Sequence, residues 1–597
     1  MRESPLLDVR NLRVEYGGQA VVRDVSFTIG RGRCLGIIGE SGAGKSQVFL
    51  AMLGLLPPSA RVTGSARLDG ASLLGGGAVS VRGRRIAMIF QDPVTALTPH
   101  LTIGRQIAEP LIEHRGMSAR EAEKHAALLL DQVRMTDVPR RLRQYPHELS
   151  GGMRQRAMIA GALASDPALL VADEPTTALD VSVQAQILVL LRQLIAERNL
   201  TLAVVTHDMG VIAALADDVA VMREGMIVEQ GAVRNLLGAP GHDYTRSLLA
   251  ATPRIDGPIA ARVPAAAAGS PPLVVRHVGV RHEIRTGAFR RASLTAVDDV
   301  SFDVAAGEAL GIVGESGCGK SSLVRALLRL GPATAGDIVW LGTNVSGLAP
   351  AVLRPLRAGA QIVFQDPLAS LDPSMTVADI VAEPLRALRP DLSTADRADR
   401  VSRLLIKVGL GAEYGKRRSR ELSGGQCQRV AIARAMILEP KLLVCDEAVS
   451  ALDVSIQAQV LKLIAEFKST GTAIVFVSHN LAVVRGLCER VLVMYLGRVV
   501  ESGPVEDIFS APRHPYTRLL LESVPRLDPD AAREQLASPL IAGAPGGETP
   551  ARQRPSGCEF RTRCPMSLPS CAERRPETEE AGKSREVACL RWRDLAT

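Results

Sequence analysis

Short apolar runs that end on a carboxylate or a histidine recur along the chain. The first set is CLGIIGE at 34–40, LLVADE at 169–174 and LAVVTH at 202–207; the second is ALGIVGE at 309–315, LLVCDE at 442–447 and AIVFVSH at 473–479. Runs that are apolar at every position, rather than at alternate ones, predict parallel strands buried on both faces. QVFLAML at 47–53 and SSLVRALL at 321–328 follow glycine-rich turns and predict helices. Strand and helix alternating in this way predict an α/β fold with a parallel sheet covered by helices. IGRQIAEPLIEH at 103–114 and EAEKHAALLLDQV at 121–133 carry helical spacing with no strand between them. They predict a helical subdomain inserted into each sheet domain.

The two sets are copies. GESGAGKS at 39–46 returns as GESGCGKS at 314–321, and LSGGMRQR at 149–156 returns as LSGGQCQR at 422–429. The offset is 275 positions at Lys45/Lys320, 273 at Ser150/Ser423 and 272 at His207/His479. A long repeat with its motif order kept means two copies of one domain, not a solenoid. The expected boundaries are 1–254 for the first domain, 255–272 for a linker, 273–526 for the second domain and 527–597 for a tail. The linker, IDGPIAARVPAAAAGSPP, is Pro- and Ala-rich and nearly uncharged, as an exposed connection is.

Composition adds exclusions. The chain has 597 residues, 46% hydrophobic and 22% charged. It has no apolar run of the ~18 residues a membrane span needs. MRESPLLDVR lacks the apolar core of a signal peptide, so a cytoplasmic chain is expected, working at a membrane only through partners. The net charge of +8 fits arginine spread over the surface. Aromatic residues make up 3% and are not interleaved with basic ones, so a single-strand nucleic-acid binder is not expected.

Both GxxxxGK[ST] segments follow a predicted strand and open a predicted helix, which is the context the phosphate-binding loop requires. Gly39, Gly42, Gly44 and their copies Gly314, Gly317, Gly319, with Ser41 and Ser316, would let backbone N–H groups cradle phosphates at a helix N-terminus. Lys45 and Lys320 would neutralise the β- and γ-phosphates, and the Ser46 and Ser321 hydroxyls would ligate Mg²⁺. Asp173 and Asp446, at strand ends, would hold Mg²⁺ as well. Glu174 and Glu447, one residue on, would polarise the attacking water.

With LSGG about twenty residues before the Asp-Glu pair, the chain resembles the ATP-binding subunits of ABC transporters over nearly its whole length. The resemblance implies two P-loop ABC-type ATPase domains set head to tail, an ATPase dimer formed within one chain. ATP held by Lys45, Asp173, Glu174 and His207 would be completed by Ser423, Gly424 and Gly425. ATP held by Lys320, Asp446, Glu447 and His479 would be completed by Ser150, Gly151 and Gly152. It also implies that His207 and His479 contact the γ-phosphate and that Gln91 and Gln365, each in FQDP, sense it beside Mg²⁺. Asp180 and Asp453 match the D-loop, and Tyr16 matches the aromatic that stacks on adenine. The second repeat departs at that position, where Phe289 is the candidate substitute. It departs again at Ala448, which replaces the proline of Asp-Glu-Pro (Pro175). Two hydrolytic sites of unequal affinity are therefore expected.

QDPVTALTP and QDPLASLDP, each leading to AEPL, and the closing segments GHDYTRSLLAATP and RHPYTRLLLESVP look like the peptide and nickel importer branch. That implies a motor for dipeptide or oligopeptide uptake, peripheral on the cytoplasmic face of the membrane, with two permease subunits and an external substrate-binding protein. Nickel, glutathione or a haem-like ligand are alternative cargoes. A soluble twin-ABC ATPase acting on ribosomes or DNA is the rival class, and the short linker and absence of finger pairs argue against it. Cys558, Cys564, Cys571 and Cys589 crowd the tail. Their irregular spacing suits a [4Fe–4S] cluster, which some members of the branch carry there. Zinc and free thiols are the alternatives, and Arg561, Arg563 and Arg574 would offset a cluster's negative charge.

Overall fold

Both sheets are built around the strand that feeds the glycine-rich loop. The computed structural model describes residues 4–177, 179–259, 270–285, 291–450, 452–542, 554–582 and 584–594. Phe289 and the middle of the expected linker lie outside the described residues. In the first half a six-stranded sheet runs Met226–Ala232, Asp218–Arg223, Cys34–Ile38, Thr201–Thr206, Leu169–Asp173, Ile86–Ile89. Its neighbours are parallel except Met226–Ala232, which returns antiparallel on Asp218–Arg223. Every residue of Cys34–Ile38, Leu169–Asp173 and Thr201–Thr206 is buried. That is the reason for their unbroken apolar pattern. An antiparallel sheet of Gln19–Ile29, Leu7–Tyr16, Ala60–Leu68 and Ala71–Ser72 lies beside it. The two share one core with the helix Lys45–Met52, through Val48, Phe49 and Met52.

The predicted helical insertion is present between Ile86–Ile89 and Leu169–Asp173, as Ile103–Arg115, Ala119–Gln132, Val138–Arg143 and Gly151–Leu163. Ile103, Ile107 and Leu111 form the buried face of the first helix, and Ala122, Ala126, Leu129 and Leu130 that of the second. Ser118 and Glu121 start the second helix with a reciprocal capping box, satisfying two otherwise unpaired N–H groups.

The second half repeats this plan and extends it. Its sheet has eight strands: Ala360–Val363, Leu442–Asp446, Ala473–Val477, Ala309–Val313, Arg490–Tyr495, Arg498–Pro504, Glu586–Val587 and Glu579–Glu580. The last two come from the tail, with Glu501 paired to Val587 and Ser502 to Glu586. Arg498–Pro504 therefore has a buried centre, whereas its copy Met226–Ala232 is exposed along its second half. The Arg585 guanidinium donates to Glu501 Oε1 at 2.6 Å. Both side chains are buried, a pairing that is costly to break from one side.

The chain divides into two compact units, Met1–Thr252 with Glu522–Glu548, and Pro253–Leu521 with Thr549–Thr597. The stretch read in the sequence as one tail is thus split between the units. The helix Pro529–Leu536 packs on Met209–Leu215, burying Ala532 and Leu536, and Ile541 is buried further along. Arg533 donates to the carbonyl of Ala216 at 2.8 Å, and Arg234 pairs with Asp530 at 2.6 Å. Leu536→Ala should cost the first unit about 2–3 kcal/mol. Hydrogen exchange should then show faster amide exchange in Met209–Leu215, with the strand Ala309–Val313 unchanged.

Among the described residues no helix is long and apolar enough to cross a membrane.

Candidate functional site

The glycines of the two loops are needed by backbone geometry. Gly44 has φ 90°, and a Cβ there would stand 2.7 Å from the Val21 carbonyl oxygen; Gly319 has φ 106°, with the Ala296 oxygen 2.2 Å from its Cβ position. Each loop folds back on its lysine. Lys45 Nζ donates to the carbonyls of Gly39 at 2.8 Å and Glu40 at 2.9 Å. Lys320 Nζ donates to those of Gly314 at 2.6 Å and Glu315 at 3.1 Å. Both lysines are buried, so each ammonium is held over the concave face of its loop by carbonyls.

The predicted carboxylates converge on that face. In the first unit Ser46 Oγ donates to Asp173 Oδ1 at 3.0 Å. Burial raises Asp173, and this hydrogen bond offsets part of the rise. Glu174 Oε2 accepts from Gln91 Nε2 at 2.8 Å and from Thr177 Oγ1 at 2.9 Å, and Glu174 Oε1 lies 3.1 Å from His207 Nδ1. Burial alone would raise the Glu174 carboxyl. The hydrogen bond and charge of His207, with Thr177, outweigh it and hold the carboxyl at about 2. The same hydrogen bond raises His207.

The second unit repeats this with looser contacts. Gln365 Nε2 donates to Glu447 Oε2 at 2.9 Å, and His479 Nδ1 lies 3.5 Å from the same oxygen. The His479 hydrogen bond holds Glu447 below the usual carboxylate range. Burial, followed by the charge of Glu447, pushes Asp446 up to about 6. Its Oδ1 is buried with no hydrogen-bond partner. An orphaned carboxylate oxygen close to the lysine of a phosphate loop suits a hard divalent cation such as Mg²⁺. Glu174 and Glu447 both sit at positive φ, 46° and 47°. This left-handed backbone, tied by their N–H groups to the Val205 and Val477 carbonyls, turns each glutamate away from its strand. Strain of this kind collects at functional sites.

Ser150 and Ser423 cap the helices Gly151–Leu163 and Gly424–Met436, each accepting from the third N–H of its helix. Gly152 and Gly425 let these helices approach the next one. Cβ atoms there would stand 2.5 Å from Val183 Cγ1 and 2.7 Å from Ile456 Cγ2. Asp180 and Asp453 precede the helices Val181–Arg198 and Val454–Ser469.

One residue beside the second loop was not singled out in the sequence. Tyr16 donates through its hydroxyl to Gln47 Oε1 at 2.7 Å. In the second unit the group in the matching place is His282, whose Nε2 lies 3.2 Å from Ser322 Oγ. Gln47 and Ser322 both stand two residues after the loop lysine. Aligning VRNLRVEY with VRHVGVRH places His282 opposite Tyr16, a signal hidden by looking for a tyrosine.

Cys558, Cys564, Cys571 and Cys589 line one pocket with His514, Phe560, Met566 and Arg591. Burial pushes the Cys558 and Cys589 thiols up to about 11, against hydrogen bonds from the backbone at Phe560 and Arg591. Among the described residues no three His, Cys, Asp or Glu side chains stand together as a metal-holding group. Arg563, expected to offset a cluster's charge, is engaged elsewhere: it forms a two-pronged pair with Glu315.

The family description "ABC transporter" matches residues 22–177 and 297–450, and "Oligopeptide/dipeptide transporter, C-terminal region" matches 228–278 and 500–571. The glutathione import ATP-binding protein GsiA of Escherichia coli (strain K12) is 45% identical over 568 residues, covering 89% of this chain and 91% of that protein. Its counterpart in Pectobacterium atrosepticum is 44% identical over 574 residues, covering 89% and 92%. Among solved structures, the dimeric post-hydrolysis state of the ATP-binding cassette MJ0796 bound to ADP and Pi is 27% identical, covering 39% of this chain and 98% of that one, with a TM-score of 0.36. The cbiO1 subunit from Clostridium perfringens is likewise 27% identical, covering 40% and 92%, with a TM-score of 0.36. The duplicated loops, carboxylates and serine-capped glycine helices thus have their explanation in descent: the chain belongs to the ABC transporter ATP-binding family, in its oligopeptide/dipeptide branch, with two ATPase domains in one polypeptide.

Proposed function

We propose that the chain hydrolyses ATP to drive uptake of short peptides, glutathione among them, through two integral-membrane permeases supplied by an extracytoplasmic binding protein. The observation that carries this reading is the presence of two complete sets of phosphate-loop, carboxylate and histidine groups in a chain alike over nine tenths of its length to glutathione import subunits. Lys45 and Lys320 hold the β- and γ-phosphates. Ser46 and Asp173, with Gln91, and Ser321 and Asp446, with Gln365, would hold Mg²⁺, which would supply positive charge to the phosphates. Glu174 and Glu447 accept a proton from the attacking water, while His207 and His479 keep them ionised and aimed. The chain works on the cytoplasmic face as a peripheral subunit.

The cysteine pocket is proposed to hold a [4Fe–4S] cluster on Cys558, Cys564, Cys571 and Cys589. What supports this reading is that the four thiols line one pocket, with backbone N–H groups directed at sulfur, although no three of them stand together as a metal-holding group among the described residues. Buried thiols at high pKa give up their protons when a cation replaces them. The cluster would cross-link a tail too short to build its own core.

The import reading is tested by reconstituting the chain with its neighbouring permeases and binding protein and following phosphate release. Glutathione or mixed dipeptides should raise turnover several-fold over the basal rate. Intact basal turnover with no response to either would reject peptides as cargo.

A further inference from the structure

The loop of the second ATP site is braced from outside by the cysteine tail. Arg563, next to Cys564, places its two terminal nitrogens on the two carboxylate oxygens of Glu315, at 2.5 and 2.8 Å. Both side chains are almost fully buried, 5% and 6% exposed. Glu315 is the second residue of GESGCGKS. Its N–H donates to the Tyr516 hydroxyl at 2.9 Å, and its carbonyl accepts from Lys320 Nζ at 3.1 Å. Side chain, N–H and carbonyl of one loop residue are thus tied to the tail, to a buried tyrosine and to the loop lysine.

The two repeats differ where the brace requires it. In the first unit Glu40 N–H donates to the Tyr244 hydroxyl at 3.2 Å, and Lys45 holds the Glu40 carbonyl, so the inner part of the arrangement is shared. The last residue of the strand Asp218–Arg223 stacks its guanidinium 5.1 Å over the Tyr244 ring. The matching strand Arg490–Tyr495 ends in Tyr495. The Tyr495 ring lies 4.7 Å from that of Tyr516 and 5.3 Å from that of Phe560, a fully buried residue of the tail. An arginine replaced by an aromatic has opened a surface on which the tail's Phe560 packs. The tail then returns a guanidinium, Arg563, 6.0 Å from the Tyr495 ring. The cation is no longer on the strand and comes from the tail.

We propose that Arg563 is a positioning residue for nucleotide binding at the second ATP site. It pairs with the buried Glu315 carboxylate and fixes the loop in which Lys320 receives the phosphates, which places that site under the control of the folded cysteine tail. A bidentate arginine–carboxylate pair is both strong and directional. Removing the arginine strips both charge-assisted hydrogen bonds from a buried carboxylate on the loop that must accept a triphosphate. The inference rests on reading the Lys320 loop as a nucleotide site.

The test uses full-length chains and titration with a fluorescent ATP analogue. A Lys45→Ala background reports the second site and a Lys320→Ala background the first. In the Lys45→Ala background, Arg563→Ala should weaken binding about tenfold or more, equivalent to about 1.4 kcal/mol. Basal turnover there should show a raised KM with kcat little changed. In the Lys320→Ala background the same substitution should leave affinity unchanged. Arg563→Lys should recover part of the loss. The neutral pair Arg563→Met with Glu315→Gln should recover most of it, which separates charge compensation from general damage to the tail. Unchanged second-site affinity in Arg563→Ala, or no recovery in the neutral pair, would overturn the proposal. Failure of the Lys45→Ala parent to bind the analogue at all would instead remove the nucleotide-site reading beneath it.

Discussion

Replacing both Glu174 and Glu447 by glutamine should leave a chain that binds ATP and turns it over about a hundred- to ten-thousandfold more slowly, the span that a positioned general base contributes. The substitution is close to isosteric, so the loops around Lys45 and Lys320 keep their internal hydrogen bonds. What is lost is a carboxylate ionised at neutral pH. Glu174 is held at about 2 by the His207 hydrogen bond and charge together with Thr177, despite its burial, so in the native chain it is ready to accept a proton without prior ionisation. Glu447 is kept low by His479. Its 3.5 Å contact is longer than the 3.1 Å one at Glu174, so Glu447 is the less firmly aimed of the two glutamates. The single Glu174→Gln chain should therefore lose the larger share of turnover. Phosphate release at saturating ATP, with filter-retained labelled nucleotide as the binding control, decides the matter. Near-native release in the double variant would remove both glutamates from the chemistry.

The candidate site of this chain was legible because it sits in contiguous motifs. Lys45 and Ser46 belong to one loop, Asp173 and Glu174 to one strand end, and each motif occurs twice at nearly constant offset. Buried parallel strands announce themselves by being apolar at every position, and the helical insertion by its periodic leucines and alanines. Features that depend on where distant segments meet were not legible. His282 takes the place of Tyr16 only because the irregular pairing of Leu273–Arg285 with Arg291–Val304 brings it beside the loop helix, and no local pattern reports a strand's register. The division of the final segment between the units depends on modest apolar surfaces, Ala532 and Leu536 for one and Phe560 for the other. Arg563 illustrates the limit best. In sequence it is one more basic residue beside a cysteine, available to offset a cluster. Only the fold shows that its partner is Glu315, 248 positions away.

Anoxically purified chain should contain about four iron and about four acid-labile sulfide per polypeptide, with a broad visible absorption that bleaches on reduction. Cys571 sits in the short helix Ser570–Glu573, and the Cys558 N–H is bonded to the Cys571 carbonyl at 2.7 Å, so two of the cysteine-bearing segments are held side by side. The protons that burial keeps on Cys558 and Cys589 must leave when sulfur binds iron. Assembly in apoprotein supplied with iron and sulfide should therefore release acid and run faster as pH rises toward those values. Cys571→Ser replaces the most buried of the four and should lower iron content to near zero and make the tail's Arg-rich turns sensitive to trypsin. Zinc in place of iron, at about one per chain, would keep the pocket as a metal-held staple and reject the cluster. Neither metal, with Cys571→Ser as resistant to trypsin as the parent, would leave the four cysteines as small apolar packing residues, and the tail would then be held on its sheet by its strand pairing and by Phe560, Arg563 and Arg585 without a metal.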